Sequence, residues 1–530
     1  MKAALVHYHL RPGGVTQVVL HQALALREAG EEALVISGEA PPLAESWAGI
    51  PIKVVPALRY DRYRAPASAG HGSGGGNGSG GSGGESGNGA GQGETAGELA
   101  AAVEGAVASH WGPDRAGVLV HVHNPLIRKN SLLTGALKIL ANTFPLLLQN
   151  HDLAEDFRPD VYSGEDYPAN CHYAVINSRD YRFLLEAGLK AEGLHLLPNE
   201  VRRTEVTPGL PKTRYLYPVR GIRRKNIGEV LLLSLYINGA NGGGANSGAA
   251  GNGGGVTDGF RAAITQPPTT EQDLPVYRRW KTAAAELGLP VEFEAGVGAS
   301  FADIMGSARA VITTSVKEGF GFSFLEPWIA GSGASGIAVT GRRIDYVCRD
   351  FEEAGAGFDS FYRTLDIPAE YAEPEKLRRK AARALEGVYA AFGLPLPPGV
   401  PAALEAAFSD RGAIDFGVMD EEGQERILRL AAADRGVWKK IQRANPFLEG
   451  LPDWQPCPRR IEQNREAILA AYSREKITGL LLDIYRGVLS PVRQDISRRR
   501  LLDLYLDPSR IFLTGISPAP NGGTPNGGTL

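Results

Sequence analysis

The chain has 530 residues, too many for one hydrophobic core, so at least two domains are expected. A hydrophobic content of 43% supports globular folding, and 56 basic against 59 acidic residues give a formal net charge of -3, which excludes bulk electrostatic attraction to nucleic acid. Three cysteines, Cys171, Cys348 and Cys457, stand far apart without paired or metal-ligand spacing, which argues against a disulfide framework or a zinc site and fits a reducing cytoplasm.

The N-terminus, Met1-Lys2-Ala3-Ala4-Leu5-Val6, enters a strand at once and does not read as a signal peptide. No apolar run reaches membrane-spanning length, so a soluble, cytoplasmic protein without a transmembrane segment is expected. Ala3 to His7 reads as a strand running into Arg11-Pro12-Gly13-Gly14-Val15-Thr16-Gln17, with Thr16 placed to cap a helix that continues to Ala29. Strands at Ala33 to Ser37, Val118 to Val122, Pro145 to Gln149, Ala174 to Asn177 and Leu194 to Leu197, with a helix from Asn130 to Ala141, extend a doubly wound α/β pattern over residues 1–205. A Gly-rich insert at 65–97 interrupts it and lacks the apolar content to fold.

Pro208 and Pro211 mark a linker. A second α/β series then fills 206–372: the strand Tyr215 to Val219, a helix from Ile227, a Gly-rich insert at 238–259, the strand Val291 to Ala295, a helix from Ser300 and the strand Val311 to Thr314. Residues 373–516 turn predominantly helical, with one long amphipathic stretch from Glu462 to Leu489 that could pack across both domains. Residues 517–530, rich in Pro, Asn and Gly, read as a disordered tail.

Polar clusters gather at the carboxyl ends of predicted strands. Glycines there let backbone N–H groups approach phosphate, and ligands of open α/β sheets bind at that edge. Gly13 and Gly14 follow the first strand. His121-Val122-His123-Asn124 ends another, with Arg128 and Lys129 beyond it; two histidines at i and i+2 share a face, but no third ligand recurs nearby, so no metal is expected. Asn150-His151-Asp152-Leu153-Ala154-Glu155-Asp156 follows the next strand, where His151 could hydrogen-bond a hydroxyl or phosphate and Asp152 could orient it. In the second series Arg220-Gly221-Ile222-Arg223-Arg224-Lys225-Asn226 places four cations in six residues, which suits a diphosphate and opposes the dipole of a helix start. Last comes Lys317-Glu318-Gly319-Phe320-Gly321-Phe322-Ser323-Phe324-Leu325-Glu326, two carboxylates bracketing a Gly-Phe-Gly turn before a helix expected from Leu325 to Ala330. Glu318 and Glu326 could accept hydrogen bonds from sugar hydroxyls; the plain alternative is a loose turn with two solvated acids.

Glu318 and Glu326 around Gly319-Phe320-Gly321, Arg220 and Lys225 after the first strand of the second series, Gly13-Gly14 after the first strand of the chain, and Asn199 behind Leu197-Pro198 together resemble the retaining GT-B glycosyltransferases of glycosyltransferase family 4. The resemblance implies two Rossmann-like doubly wound domains facing a cleft, with a nucleotide-diphosphate sugar as co-substrate and no cofactor or metal. Carried over, Arg220 and Lys225 neutralise the diphosphate, Glu326 accepts from the ribose, Glu318 with the amides of Gly319 to Gly321 holds the transferred sugar, Asn199, Gly13 and Gly14 line the donor site, and His151 approaches the sugar. His123, Asn124, Arg128, Lys129 and Asp152 would face the acceptor. That acceptor is open between a small anionic metabolite and a glycan, and a lipid is disfavoured because no membrane-docking helix is evident. Two other readings of the same motifs are a catalytically silent GT-B module that binds a carbohydrate or partner, and a nucleotide-sugar epimerase. The Pro327-Trp328 pair and the long helical extension depart from a minimal enzyme of this kind.

Overall fold

The computed structural model describes residues 1–42, 44–61, 94–239, 261–331, 336–409, 412–451, 454 and 456–516. Most of both Gly-rich inserts and the tail from 517 lie outside the described residues. The edges of the inserts do not: Thr95 and Glu98 form a reciprocal capping box (Glu98 N–H to Thr95 Oγ1, 3.2 Å; Thr95 N–H to Glu98 Oε2, 2.7 Å) that starts a helix at Ala96–Trp111 inside the span expected of the first insert. The helix Ile227–Gly239 likewise runs into the start of the second.

Seven parallel strands form the first sheet: β1 (Lys2–His7), β2 (Glu32–Ser37), β3 (Ile52–Val54), β4 (Val118–His123), β5 (Leu146–Asn150), β6 (His172–Val175) and β7 (Leu194–Leu196), in the order β3-β2-β1-β4-β5-β6-β7. Every residue of β4 and of β5 is buried, as a parallel strand covered on both faces requires. Six parallel strands form the second: β8 (Arg214–Arg220), β9 (Arg261–Gln266), β10 (Val291–Phe293), β11 (Ala308–Thr313), β12 (Val339–Arg342) and β13 (Phe361–Tyr362), in the order β10-β9-β8-β11-β12-β13. Strand order therefore reverses between β1 and β4 in one sheet and between β8 and β11 in the other. Crevices for ligands open at such switch points, outside the carboxyl ends of the strands. Residues of both domains line one cleft at these carboxyl ends, as the resemblance to a GT-B fold implied.

A helical extension follows, tied to the second sheet's domain by the small antiparallel pair β14 (Asp366–Pro368) and β15 (Ala413–Asp415). Its middle helices, such as Glu421–Ala433, pack beside Ile227–Gly239 in the second domain, whereas Arg474–Val488 lies on Gly14–Glu28 and β5 of the first. The long amphipathic stretch from Glu462 to Leu489 is covered by two helices, Pro458–Tyr472 and Arg474–Val488. Ser473, extended at φ -63° and ψ 158°, breaks the run, and its hydroxyl accepts from Lys476 N–H to cap the second helix. The helix expected from Leu325 to Ala330 is also shorter: one α-turn at Phe322–Leu325 passes into a 3₁₀ turn at Glu326–Ile329, because Pro327 has no N–H to continue an α-helical ladder. No helix among the described residues is long and apolar enough to cross a membrane.

Candidate active site in the interdomain cleft

The ends of β1, β5, β8 and β11 enclose a cleft of about 490 Å³. From the first domain come Gly13, Gly14, His151, Asp152 and Asn199; from the second come Arg220, Arg224, Lys225, Glu318, Gly319, Phe320 and Gly321. Residues separated by some three hundred positions are thus brought together by two switch points.

On the first domain's side, the helix Gly14–Glu28 points its N-terminus at the cleft with no side-chain cap and no acid in its first turn. The residue before it is Gly13, and Thr16, expected as the cap, lies buried within the first turn instead. A Cβ at Gly14 would meet nothing within 4 Å, so packing does not require glycine there; the open space belongs to the cleft. Uncapped amides and a positive dipole end favour an anion at this position. Asn199 is buried and its Oδ1 has no hydrogen-bond partner among the described residues.

His151 is held from behind. Asn124, in the left-handed region at φ 54°, accepts the His151 backbone N–H at 2.7 Å and that of Asp152 at 3.2 Å through its Oδ1. His151 Nε2 and His123 Nδ1 share a hydrogen bond of 3.1 Å with the rings stacked, and His123 in turn stacks on His121 with centroids 4.4 Å apart. His121 Nδ1 meets the hydroxyl of Tyr485 from the extension at 2.8 Å. Burial pushes His151 down to about 4 and His7, beside this group, to about 3, so these imidazoles are neutral at physiological pH. His123 and Asn124, expected to face the acceptor, thus stand behind His151 and do not line the cleft; Arg128 and Lys129 lie outside its lining as well, with Lys129 near the ring of Tyr60. Asp152 does line it, with Arg158 Nη1 at 3.3 Å. Among the described residues no group of three His, Cys, Asp or Glu is placed to hold a metal ion.

The cationic turn after β8 divides its charges. Arg223 turns away to Glu421 (2.5 Å) and to the carbonyls of Leu513 and Ile516 in the extension, so it is not one of the cleft cations. Arg220, Arg224 and Lys225 remain. The Arg220 guanidinium makes no hydrogen bond or ion pair among the described residues. Lys225 Nζ is bonded to Glu318 Oε1, joining the tips of β8 and β11. Burial alone would raise the Glu318 carboxyl, but Lys225 and Arg224 overcome it and hold it below the usual carboxylate range. Thr314 Oγ1 reinforces the junction by donating to the Lys225 carbonyl at 3.0 Å, and Tyr217 OH donates to that carbonyl at 2.9 Å. Arg224 as a cleft cation went unassigned in the sequence, although it stands within the same basic run.

The Gly-Phe-Gly turn is shaped by its neighbours. A Cβ at Gly319 would approach the His151 carbonyl oxygen to 2.9 Å, so the first domain's backbone requires glycine here. Asn177 Nδ2 donates to the Gly319 carbonyl at 3.0 Å across the same interface. Gly321 sits at φ +97°, a conformation that favours glycine. Glu326 is not part of the cleft lining: it opens the 3₁₀ turn behind Phe322 and Ser323, and burial raises its carboxyl to about 7.

No family model matches the chain. A 249-residue segment is 27% identical to mannosylglucosyl-3-phosphoglycerate synthase of Petrotoga mobilis, covering 38% of this chain and 43% of that protein; the chain therefore spans less than half the length of this relative. Among solved structures, a glycosyltransferase of Rickettsia africae aligns over 92% of this chain and 98% of its own at 12% identity, with a TM-score of 0.49. HepE of Anabaena, in complex with UDP and glucose, aligns over 92% and 99% at 13% identity, with a TM-score of 0.48.

Proposed function

We propose that the chain is a retaining glycosyltransferase that moves a sugar from a nucleotide-diphosphate sugar to a hydroxyl of a small anionic acceptor. One observation carries this reading: three cations and an uncapped helix N-terminus meet two glycine turns and a neutral histidine in one cleft, with Arg220 unpaired. Such a site suits a diphosphate at one end and a polyhydroxylated ring at the other. The names of the likenesses agree in kind, since HepE holds UDP and glucose and the Petrotoga relative is named for a product built on 3-phosphoglycerate, an anion.

In the proposed reaction the bond between the anomeric carbon and the diphosphate oxygen breaks as the acceptor hydroxyl attacks from the same face. Positive charge grows on the sugar ring and negative charge on the leaving phosphate. Arg220, Arg224 and Lys225 stabilise the latter, which is where charge develops most in the transition state. The acceptor's proton passes to the departing phosphate, so no enzyme base is assigned. Glu318, kept ionised by Lys225, accepts hydrogen bonds from the transferred sugar; His151, kept neutral by burial, donates or accepts at its free ring nitrogen. Arg220, Arg224 and Lys225 require no metal partner in this scheme.

The test is an assay of UDP-, GDP- and ADP-sugars with 3-phosphoglycerate, its glycosides and neutral glycans as acceptors, the product anomer being read by NMR. Lys225→Ala is expected to lower kcat/KM by roughly 10²-fold or more with the fold intact. Full turnover in that variant, or preference for a neutral glycan, defeats the corresponding part of the proposal.

A further inference from the structure

A second cavity, of about 400 Å³, lies behind the Gly-Phe-Gly turn, and successive residues divide between the two: Lys317 lines this cavity and Glu318 the cleft. Its wall is drawn from all three parts of the chain, with Arg179 and Arg182 from the first domain, Lys317 and Arg349 from the second, and Tyr505 and Arg510 from the extension. Eight of the lining side chains are Arg or Lys, and two, Asp156 and Asp345, are acids.

The cations fall into a fixed floor and a free rim. On the floor Arg179 and Lys317 share the carboxylate of Asp156, at 2.8 Å and 3.0 Å, and Arg179 also pairs with Asp180 at 2.9 Å. On the rim Arg349 makes no hydrogen bond or ion pair among the described residues, and Arg182 has only a 3.8 Å contact to Glu186, with its side chain 51% exposed. Arg342, Arg343, Arg363 and Arg510 are each paired with an acid, so the guanidinium groups left to receive negative charge are those of Arg349 and Arg182 at the rim. Phe157, Phe183 and Phe512 supply apolar wall for the remainder of a small ligand.

We propose that this cavity binds a small phosphorylated anion, at a site separate from the cleft, and that its occupancy regulates the cleft. The coupling has a short physical route. The Arg179 guanidinium lies 4.0 Å over the Tyr346 ring, and the Tyr346 hydroxyl is bonded to the Glu318 carbonyl while receiving the Glu318 N–H at 3.3 Å. Lys317 Nζ reaches both the carboxylate and the carbonyl of Asp156. An anion that draws Arg179 and Lys317 toward itself therefore shifts the backbone that carries Glu318. The binding claim stands on this cavity alone; the regulatory claim rests on the cleft being the transferase site.

Calorimetric titration of the full chain with pyrophosphate tests the first claim, in an Arg220→Ala/Arg224→Ala/Lys225→Ala background that removes all three cleft cations. Saturable, salt-sensitive binding is expected there, and adding Arg182→Ala with Arg349→Ala should weaken it at least tenfold. Both rim arginines are exposed, so circular dichroism should show an unchanged melt; if the double change disturbs folding, Arg349→Gln alone is read instead, with a weakening of about threefold or more expected. No heat in the cleft-silenced protein, or equal binding in the rim variants, overturns the site. In the native cleft, pyrophosphate should alter the KM for the sugar nucleotide in wild type and leave it unaltered in the rim variant once competition at the cleft is subtracted. Identical response in both overturns regulation while binding stands, and absence of any transferase activity is read separately from either result.

Discussion

Glu326 is a carboxylate whose surroundings work against its charge. It stands at the start of a 3₁₀ turn, its carboxylate makes no hydrogen bond or ion pair among the described residues, and burial lifts it to about 7. A carboxyl raised in the folded state binds its proton more tightly folded than unfolded, so its penalty is absent below the unfolded value near 4.5, grows as pH rises, and is complete above about 7. By linkage that penalty is on the order of 3 kcal/mol. Glu326→Gln should therefore stabilise the protein at pH 8 and leave it nearly unchanged at pH 4.5, which urea unfolding at the two values would show. If ribose hydroxyls are its partners, the same substitution weakens nucleotide binding while strengthening the fold, and donor binding to wild type tightens as pH rises through 7.

At the scale of elements, the turn after β8 owes its shape to a buried ion network. Arg342 on β12 is 2% exposed and pairs with Glu229 (2.6 Å) and Asp415 (2.8 Å). Tyr362 OH and Asn226 Nδ2 also donate to Glu229, and Gln424 Nε2 holds Asn226 Oδ1 at 2.7 Å, so the helix Ile227–Gly239, the sheet and the extension converge on the residue that ends the cationic turn. Arg342→Met would leave the buried Glu229 and the half-buried Asp415 without their shared cation, and a loss of about 3 kcal/mol in denaturant unfolding is expected. Restoration by a further Glu229→Gln, Asp415→Asn pair would show the penalty to be uncompensated charge. The strands and glycine turns around this network were legible in the sequence because β-branched runs such as Ala310 to Thr314 end sharply at polar residues. Much else was not. β3 and β13 have three and two residues, too few for any period to register. Which of the three adjacent cations Arg223, Arg224 and Lys225 enters the cleft depends on a 3₁₀ turn, where each step rotates a side chain by about 120°. That rotation sends Arg223 to Glu421 and leaves Arg224 inside. The His121 and His123 pair could not be joined to His7 and His151 from the sequence, because parallel pairing alone brings β1, β4 and β5 side by side.

Over the whole molecule, the two domains meet at backbone distance where Gly319 approaches the His151 carbonyl, so one methyl group measures how closely they must fit. Gly319 does not occupy the positive-φ region, and Gly319→Ala is tolerated by its own backbone; only the facing domain objects. The expected outcome is a kcat/KM lower by on the order of 10²-fold with a melting temperature little changed, since an ångström of misplacement at reacting groups is enough for that loss. A fall in thermal stability matching the fall in rate would locate the strain inside one domain. The extension that joins these domains has an implication for biosynthesis. Residues 474–488 lie against the helix Gly14–Glu28 and β5, and Tyr485 closes the hydrogen bond to His121, 364 positions earlier in the chain. As the polypeptide leaves the ribosome, the first sheet can assemble early, yet the apolar face that receives this helix stays bare until residues 474–488 have been made. Nascent chains halted before residue 474 are therefore expected to present that face to chaperones or to one another.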